Sequence, residues 1–401
     1  AGGAIRVTPN PLRYPLCEKA IAAGVEMGLP LHRDDLNRED LEGVGYYCYN
    51  IRDGRREGAA KAFLEPVRQR PNLTIVTGGE VSRILFDGRR ASGVRCRANG
   101  IEHDFSARGE VILSTGCINS PRLLQLSGIG PAGLLNGLGI DVMHDSPDCG
   151  RRIREHLGMM LTWRLKGDRG IAHRLHGIGL GMSAAQYLAT RTGPLANGAM
   201  EVGAFVKTRP EEPFPNLQLY VSGWMLHVPE DRSVVAPMQS VEPFPAMTVT
   251  AQLLQLTSEG ELEITSADPT APLTIRPNWL STDEDRQAAV DLVHYVRRLT
   301  SQPSLAPYLE RELSPGPNVQ SDGEILEAAF RTALCGTHAV GSCRMGSDDR
   351  SVVDENLRVR GVDGLRVVDC SVMPGLVSGN TNAPAMALAW RAAELILAER
   401  A

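Results

Sequence analysis

The sequence predicts a mixed chain: a doubly wound α/β part, split between an early and a late stretch, with an α+β part between them whose sheet is mainly antiparallel. Three observations predict it. EVILSTGCINS, residues 110–120, is an apolar strand that stops on Gly116 and opens a helix at Asn119 or Ser120. NLQLYVSGWML (216–226), AMTVTAQLLQL (246–256) and GELEITSA (260–267) are three strand candidates with no helix between them. Near the end, the apolar strand LRVVD is followed by a helix entered through Asn380, Thr381 and Asn382, with Pro384 in its first turn.

A chain of 401 residues suffices for two domains and a large core. A net charge of −5 and a pI near 6.0 give no footprint for nucleic acid or an anionic membrane surface. Aromatic residues at 5% exclude stacking platforms for single strands. There is no apolar run of bilayer-spanning length and no basic, apolar leader, so a cytoplasmic location is expected. The eight cysteines are scattered, without a Cys-x-x-Cys pair, and are expected to be buried, reduced thiols. The chain begins AGGAIRV without methionine, which reads as a piece of a longer polypeptide.

In order, residues 1–70 form a loop-rich segment with two helices, 17–28 ended by Gly28 and 56–71 closed by Pro71. LTIVT (73–77) reads as a short buried strand, and the runs either side of Asp87-Gly88 as a hairpin. GLGMSA (179–184) satisfies G-x-G-x-x-A but follows the charged KGDRGIAHRLHGI rather than a buried strand, so it is not read as a phosphate loop. Residues 281–299 form a helix capped by Ser281 or Thr282; residues 321–334 form one with a Ser321/Glu324 capping box. His294 on the first of these reads as an ordinary helix residue. The last helix is expected from Pro384 to Glu399, burying Met386, Ala389, Trp390, Ala393, Ile396 and Leu397 as core.

HAVGSCRMG (338–346) and SGNTNAPAM (378–386) place a histidine before a glycine turn and polar residues at a helix start, which favours negative charge. These motifs, with GCINSPRLLQLSGIG (116–130), GPLANGAMEVGAFVKT (193–208) and the linker DSPDCGRRIREHLG (145–158), resemble the glucose–methanol–choline (GMC) flavin oxidoreductases. The similarity is nearest to the bacterial alcohol dehydrogenase, choline dehydrogenase and hydroxymethylfurfural oxidase branch. Cys117, Cys149 and Arg152 depart from the family pattern, at positions where a small residue, Val and Asn are usual. His156 is kept and reads as a hydrogen-bonded structural histidine.

The resemblance implies an FAD-binding, Rossmann-like domain, incomplete at its N-terminus, plus a substrate domain with a mainly antiparallel sheet flanked by helices. It implies boundaries of 1–70 beside the substrate cavity, 71–150 for part of the FAD domain, 151–335 for the substrate domain, and 336–401 for the return to the FAD domain. His338 maps onto the catalytic base and Asn380, 42 positions later, onto the partner that hydrogen-bonds the forming alkoxide. A neutral imidazole suits the first task and an amide donor the second; the hydride needs a cofactor. FAD is the implied acceptor, with contacts at Val81, Gly116, Asp369, Cys370, Thr381 and Asn382. The implied partners are an alcohol and either oxygen or a quinone or dye. The family's leading G-x-G-x-x-G segment is expected to be missing from this chain, present in trans or in a longer polypeptide. A flavin-free remnant with a binding role and a hydroxynitrile lyase stand as alternatives.

Overall fold

The structure is a computed structural model that describes residues 3–227 and 240–399. The chain forms two compact units. The first comprises Ala1–Leu73, Leu157–Gln255 and Arg286–Leu334; the second comprises Thr74–His156, Leu256–Asp285 and Cys335–Ala401.

Along the chain, α1 (Pro15–Glu26) and β1 (Gly43–Tyr46) belong to the first unit. The second unit follows with β2 (Gly79–Asp87), β3 (Arg90–Ala98), β4 (Ile101–Ser106), β5 (Val111–Leu113) and α2 (Gly116–Leu126). The chain returns to the first unit with β6 (Leu157–Leu165), α3 (Gly177–Thr190), β7 (Val202–Val206), β8 (Leu217–Ser222) and β9 (Ala246–Leu253). Next come β10 (Glu261–Ile264), β11 (Leu273–Arg276), α4 (Asp283–Thr300), β12 (Leu309–Ser314) and α5 (Asp322–Thr332). β13 (Leu365–Val367) and α6 (Asn382–Ala398) close the second unit.

The first unit is built on one sheet whose main path runs β12-β6-β9-β8-β7-β1, with every pairing antiparallel. Its middle strands are almost wholly buried, so both faces are covered and the alternation of a half-exposed sheet is lost. Helix α1 lies against β1 so closely that a Cβ at Gly24 would meet the Val44 side chain at 2.9 Å. The sequence places three strands in this sheet, but only β8 and β9 enter it; β10 pairs instead with β11 in the second unit.

In the second unit β2, β3 and β4 form an antiparallel meander turned at Asp87-Gly88, while β5 and β13 pair in parallel. Ile84, Val111, Leu113, Leu124, Cys149, Cys343 and Val367 share its core. The capping box of α5 is as expected, and the Thr282 hydroxyl accepts the Asp285 N–H at the start of α4.

Four local expectations need correction. LTIVT forms no strand, and Ile75 and Val76 are exposed. Residues 60–67 make a π turn and a 3-10 turn rather than an α-helix; Pro66 has no N–H to carry the ladder. Helix α2 starts at Gly116, three residues before Asn119. Helix α6 starts at Asn382, and among its residues only Ala392 is buried, with Trp390 and Leu397 at 62% and 68% exposure. Its apolar face is therefore not core among the described residues. No described helix is long and apolar enough to cross a membrane.

Candidate active site

His338 sits on an irregular loop that borrows its order from the linker before β6. Residues 150–156 run antiparallel to residues 336–342. Gly150 N–H donates to the Ser342 carbonyl at 2.8 Å, Arg154 and Val340 exchange two bonds at 3.0 and 3.1 Å, and Gly336 N–H donates to the His156 carbonyl at 2.8 Å. Between the last two rungs the chain bulges, with Thr337 at φ +59, and this presents His338. Gly341, at φ +94, is required here because a Cβ would overlap the Arg152 carbonyl oxygen. Asp148, 2% exposed, anchors the same turn through Arg344 at 3.5 Å and Arg350 at 2.5 Å.

Inside this clamp the His338 backbone N–H donates to both oxygens of Glu155, at 2.7 and 3.0 Å. Burial pushes the Glu155 carboxyl up, opposed by backbone N–H groups of His338, His156 and Ala339. The Cys335 thiol also donates to Glu155, at 3.3 Å, and burial raises that thiol to about 11. The His338 ring lies between two partners: its Nδ1 is 3.1 Å from Nδ1 of His156, and its Nε2 is 3.2 Å from Nδ2 of Asn380. Burial holds its pKa below the usual histidine value. At neutral pH the imidazole is thus largely neutral and able to take a proton.

A second cluster forms where β5 and β13 end. The Asp369 carboxylate accepts from Gly116 N–H at 3.0 Å, Ser120 Oγ at 2.6 Å and Ser371 N–H at 2.8 Å, tying the start of α2 to the end of β13. Gly116 has φ +82, and a Cβ built there meets nothing within 4 Å, so the turn faces open space. The Cys370 thiol, half-buried, bonds the Thr381 side chain at the entry to α6. Thr381, the N-cap residue of α6, makes no side-chain cap bond. Cys117 is buried beside Ser342, with its thiol raised to about 11, and is poorly placed to react.

The structure therefore brings His338 to Asn380, and Asp369, Gly116, Cys370 and Thr381 into one neighbourhood; Asn382 is the first residue of α6. Val81 lies on β2 opposite Cys96, half-buried against the unit's core. The sequence reading passed over Glu155 and Asp148; the only signal was their position in the linker that carries His156. No cluster suited to a metal ion occurs among the described residues.

Two family models, both described as GMC oxidoreductase, match residues 2–158 and 257–389. The chain belongs to the GMC oxidoreductase family. It is 37% identical to an oxygen-dependent choline dehydrogenase of Ectopseudomonas mendocina (strain ymp) over 97% of the chain and 68% of that relative. It is equally 37% identical to an alcohol dehydrogenase [acceptor] of Pseudomonas putida, over 96% of the chain and 68% of that relative. Among solved structures, pyridoxine 4-oxidase from Mesorbium loti superposes with a TM-score of 0.83 at 29% identity, covering 98% of this chain and 72% of that one. A formate oxidase of Aspergillus oryzae RIB40, solved to follow FAD modification, gives 0.89 at 27% identity, covering 99% and 73%. GMC oxidoreductases depend on FAD, and the fold of an FAD-binding and a substrate domain holds here. The expectation of a second chain supplying a leading segment gains no support from these matches.

Proposed function

We propose that this GMC oxidoreductase oxidises a primary alcohol to an aldehyde, with His338 as the base and Asn380 as the donor to the forming alkoxide. The observation that carries this is the 3.2 Å pairing of His338 Nε2 with Asn380 Nδ2. An amide N–H points at a nitrogen lone pair, so a hydroxyl that replaces this bond can donate its proton to Nε2 and accept from Asn380 at once. The relatives named choline dehydrogenase and alcohol dehydrogenase [acceptor] support a CH–OH donor.

FAD, when bound, supplies the two-electron acceptor that no side chain can provide. The residues present suit it: the open space at Gly116, the carboxyl ends of the parallel pair β5 and β13, and the N-terminus of α6 together make a site for an anionic, polar group. In this reading Gly116, Asp369, Cys370, Thr381 and Asn382 border the cofactor, and Val81 lies near its far end. Asp369 acts through its shape, since its carboxylate is taken by the α2 turn. Oxygen or a quinone or dye takes the electrons onward.

His338→Ala should lower alcohol oxidation by about 10²–10⁴-fold with flavin content unchanged. Asn380→Ala should cost about 10²-fold in kcat, and Asn382→Ala much less. Near-wild-type turnover in His338→Ala, or a larger loss in Asn382→Ala than in Asn380→Ala, sinks the assignment.

A further inference from the structure

His156 is fully buried, and the alcohol chemistry assigns it no part, yet its Nδ1 lies 3.1 Å from Nδ1 of His338, with the two rings edge to face at 83°. One proton must sit between two such nitrogens, because two lone pairs or two N–H groups would repel at that distance. The other side of the His338 ring decides which nitrogen carries it. With the Asn380 amide oriented as the structure assigns it, Nε2 faces its N–H and is an acceptor. A neutral imidazole that accepts at Nε2 carries its proton on Nδ1. That proton is donated to His156 Nδ1, and His156 in turn is protonated at Nε2. In the reverse arrangement His338 would present an N–H to the amide N–H of Asn380, donor against donor.

We infer that His156 is a positioning residue that fixes His338 in the Nδ1–H tautomer, leaving Nε2 as the lone pair aimed at the site. This deepens the base role proposed above and rests on it for its functional consequence. Glu155 does not do the same task, because its carboxylate holds the His338 backbone rather than the ring. The register of residues 150–156 against 336–342 keeps the two rings together, so the contact is built into the backbone. When His338 takes a proton at Nε2, its Nδ1–H becomes a charge-assisted donor to neutral His156, and that bond strengthens. Among the described residues the titratable groups bonded to these paired segments are Glu155, on the His338 backbone N–H, and Cys335, on Glu155; Asn380 does not titrate.

The test reads the tautomer directly. In flavin-loaded protein with ¹⁵N-labelled histidine, long-range proton–nitrogen correlation at pH 8 reports both ring nitrogens of His338, assigned by their loss in His338→Asn. Wild type should show Nδ1 protonated and Nε2 bare. His156→Asn, whose amide oxygen can accept in place of Nδ1, should keep that pattern and most of the turnover. His156→Phe should lose it to the Nε2–H form or a mixture, and kcat should fall by about 10²-fold or more, the scale of an ill-placed base, with KM changed far less. A wild-type Nε2–H tautomer overturns the inference, as does an unchanged tautomer in His156→Phe. If the buried site rejects Phe, the wild-type tautomer and His156→Asn decide alone: loss of the Nδ1–H form in His156→Asn also overturns it. A tautomer that flips in His156→Phe without loss of rate would leave the positioning intact and sink the base role instead.

Discussion

Glu155 and Glu201 are both buried glutamates, one in each unit; burial pushes both carboxyls up, and they differ in the donors that oppose it. Glu155, 8% exposed, lies in a turn where backbone N–H groups converge on it, and those donors replace water. Glu201, 2% exposed, immediately precedes β7 beside Tyr14, Cys17 and Asn10 of the first unit. Tyr14 donates its hydroxyl to it, while Oε2 has no hydrogen-bond partner among the described residues. Burial pushes Glu201 up to about 8, so near neutrality it is held as the acid. The difference teaches that how far burial raises a carboxyl depends on the supply of donors that oppose it. Where the chain bulges next to a paired segment, donors are plentiful. Just before the regular strand β7, Glu201 draws, among the described residues, only on the Tyr14 hydroxyl and its own backbone N–H.

Removing each device should sharpen that contrast. The largest effect is expected for Glu155→Ala, which strands the His338 N–H, empties a buried site and loosens the His338 loop. A loss of about 3 kcal/mol in urea unfolding is expected, with activity falling alongside; an unchanged midpoint would show that water replaces the carboxylate at no cost. Tyr14→Phe comes next. It removes the donor to Glu201 and the acceptor of the Gly223 N–H at 2.8 Å, for about 1–2 kcal/mol. The smallest change at acid pH is expected for Glu201→Gln, under about 0.5 kcal/mol at pH 4. Its signature is the pH dependence. A carboxyl whose ordinary value of 4.5 rises to about 8 on folding stabilises the native state only while protonated. That contribution is complete below 4.5 and declines as pH rises until the folded group has ionised. Wild-type Tm should therefore fall across this window by more than that of Glu201→Gln; parallel curves for the two proteins would refute the buried acid.

Much of the end that carries His338 and Asn380 was legible because it rests on local signals. The glycine that opens α2, the polar entry to α6 and the motifs carrying His338 and Asn380 are each written in contiguous residues, and the two side chains do meet. The hairpin at Asp87-Gly88 and the Ser321 capping box were legible for the same reason, since turn and cap chemistry act within four residues. What misled was apolar character without a partner. LTIVT, and the stripe of α6 with Trp390, look like core by pattern, but burial depends on what else packs there, and both are exposed among the described residues. The destination of β10 was likewise invisible, because a strand's pattern does not name its neighbour.

The sequence by itself determined the family, the mixed fold, the placing of the histidine and asparagine, and the helix starts that favour negative charge. Those depend on residue type and short-range geometry. Only the tertiary structure decided that His156 faces His338, that Glu155 takes its backbone N–H, that Asp369 is spent on the α2 turn, and that Glu201 is left with few donors. Each is a contact between residues more than a hundred positions apart or a balance of burial against donors. Such contacts follow from how segments pair in space, and the order of residues along the chain does not specify them.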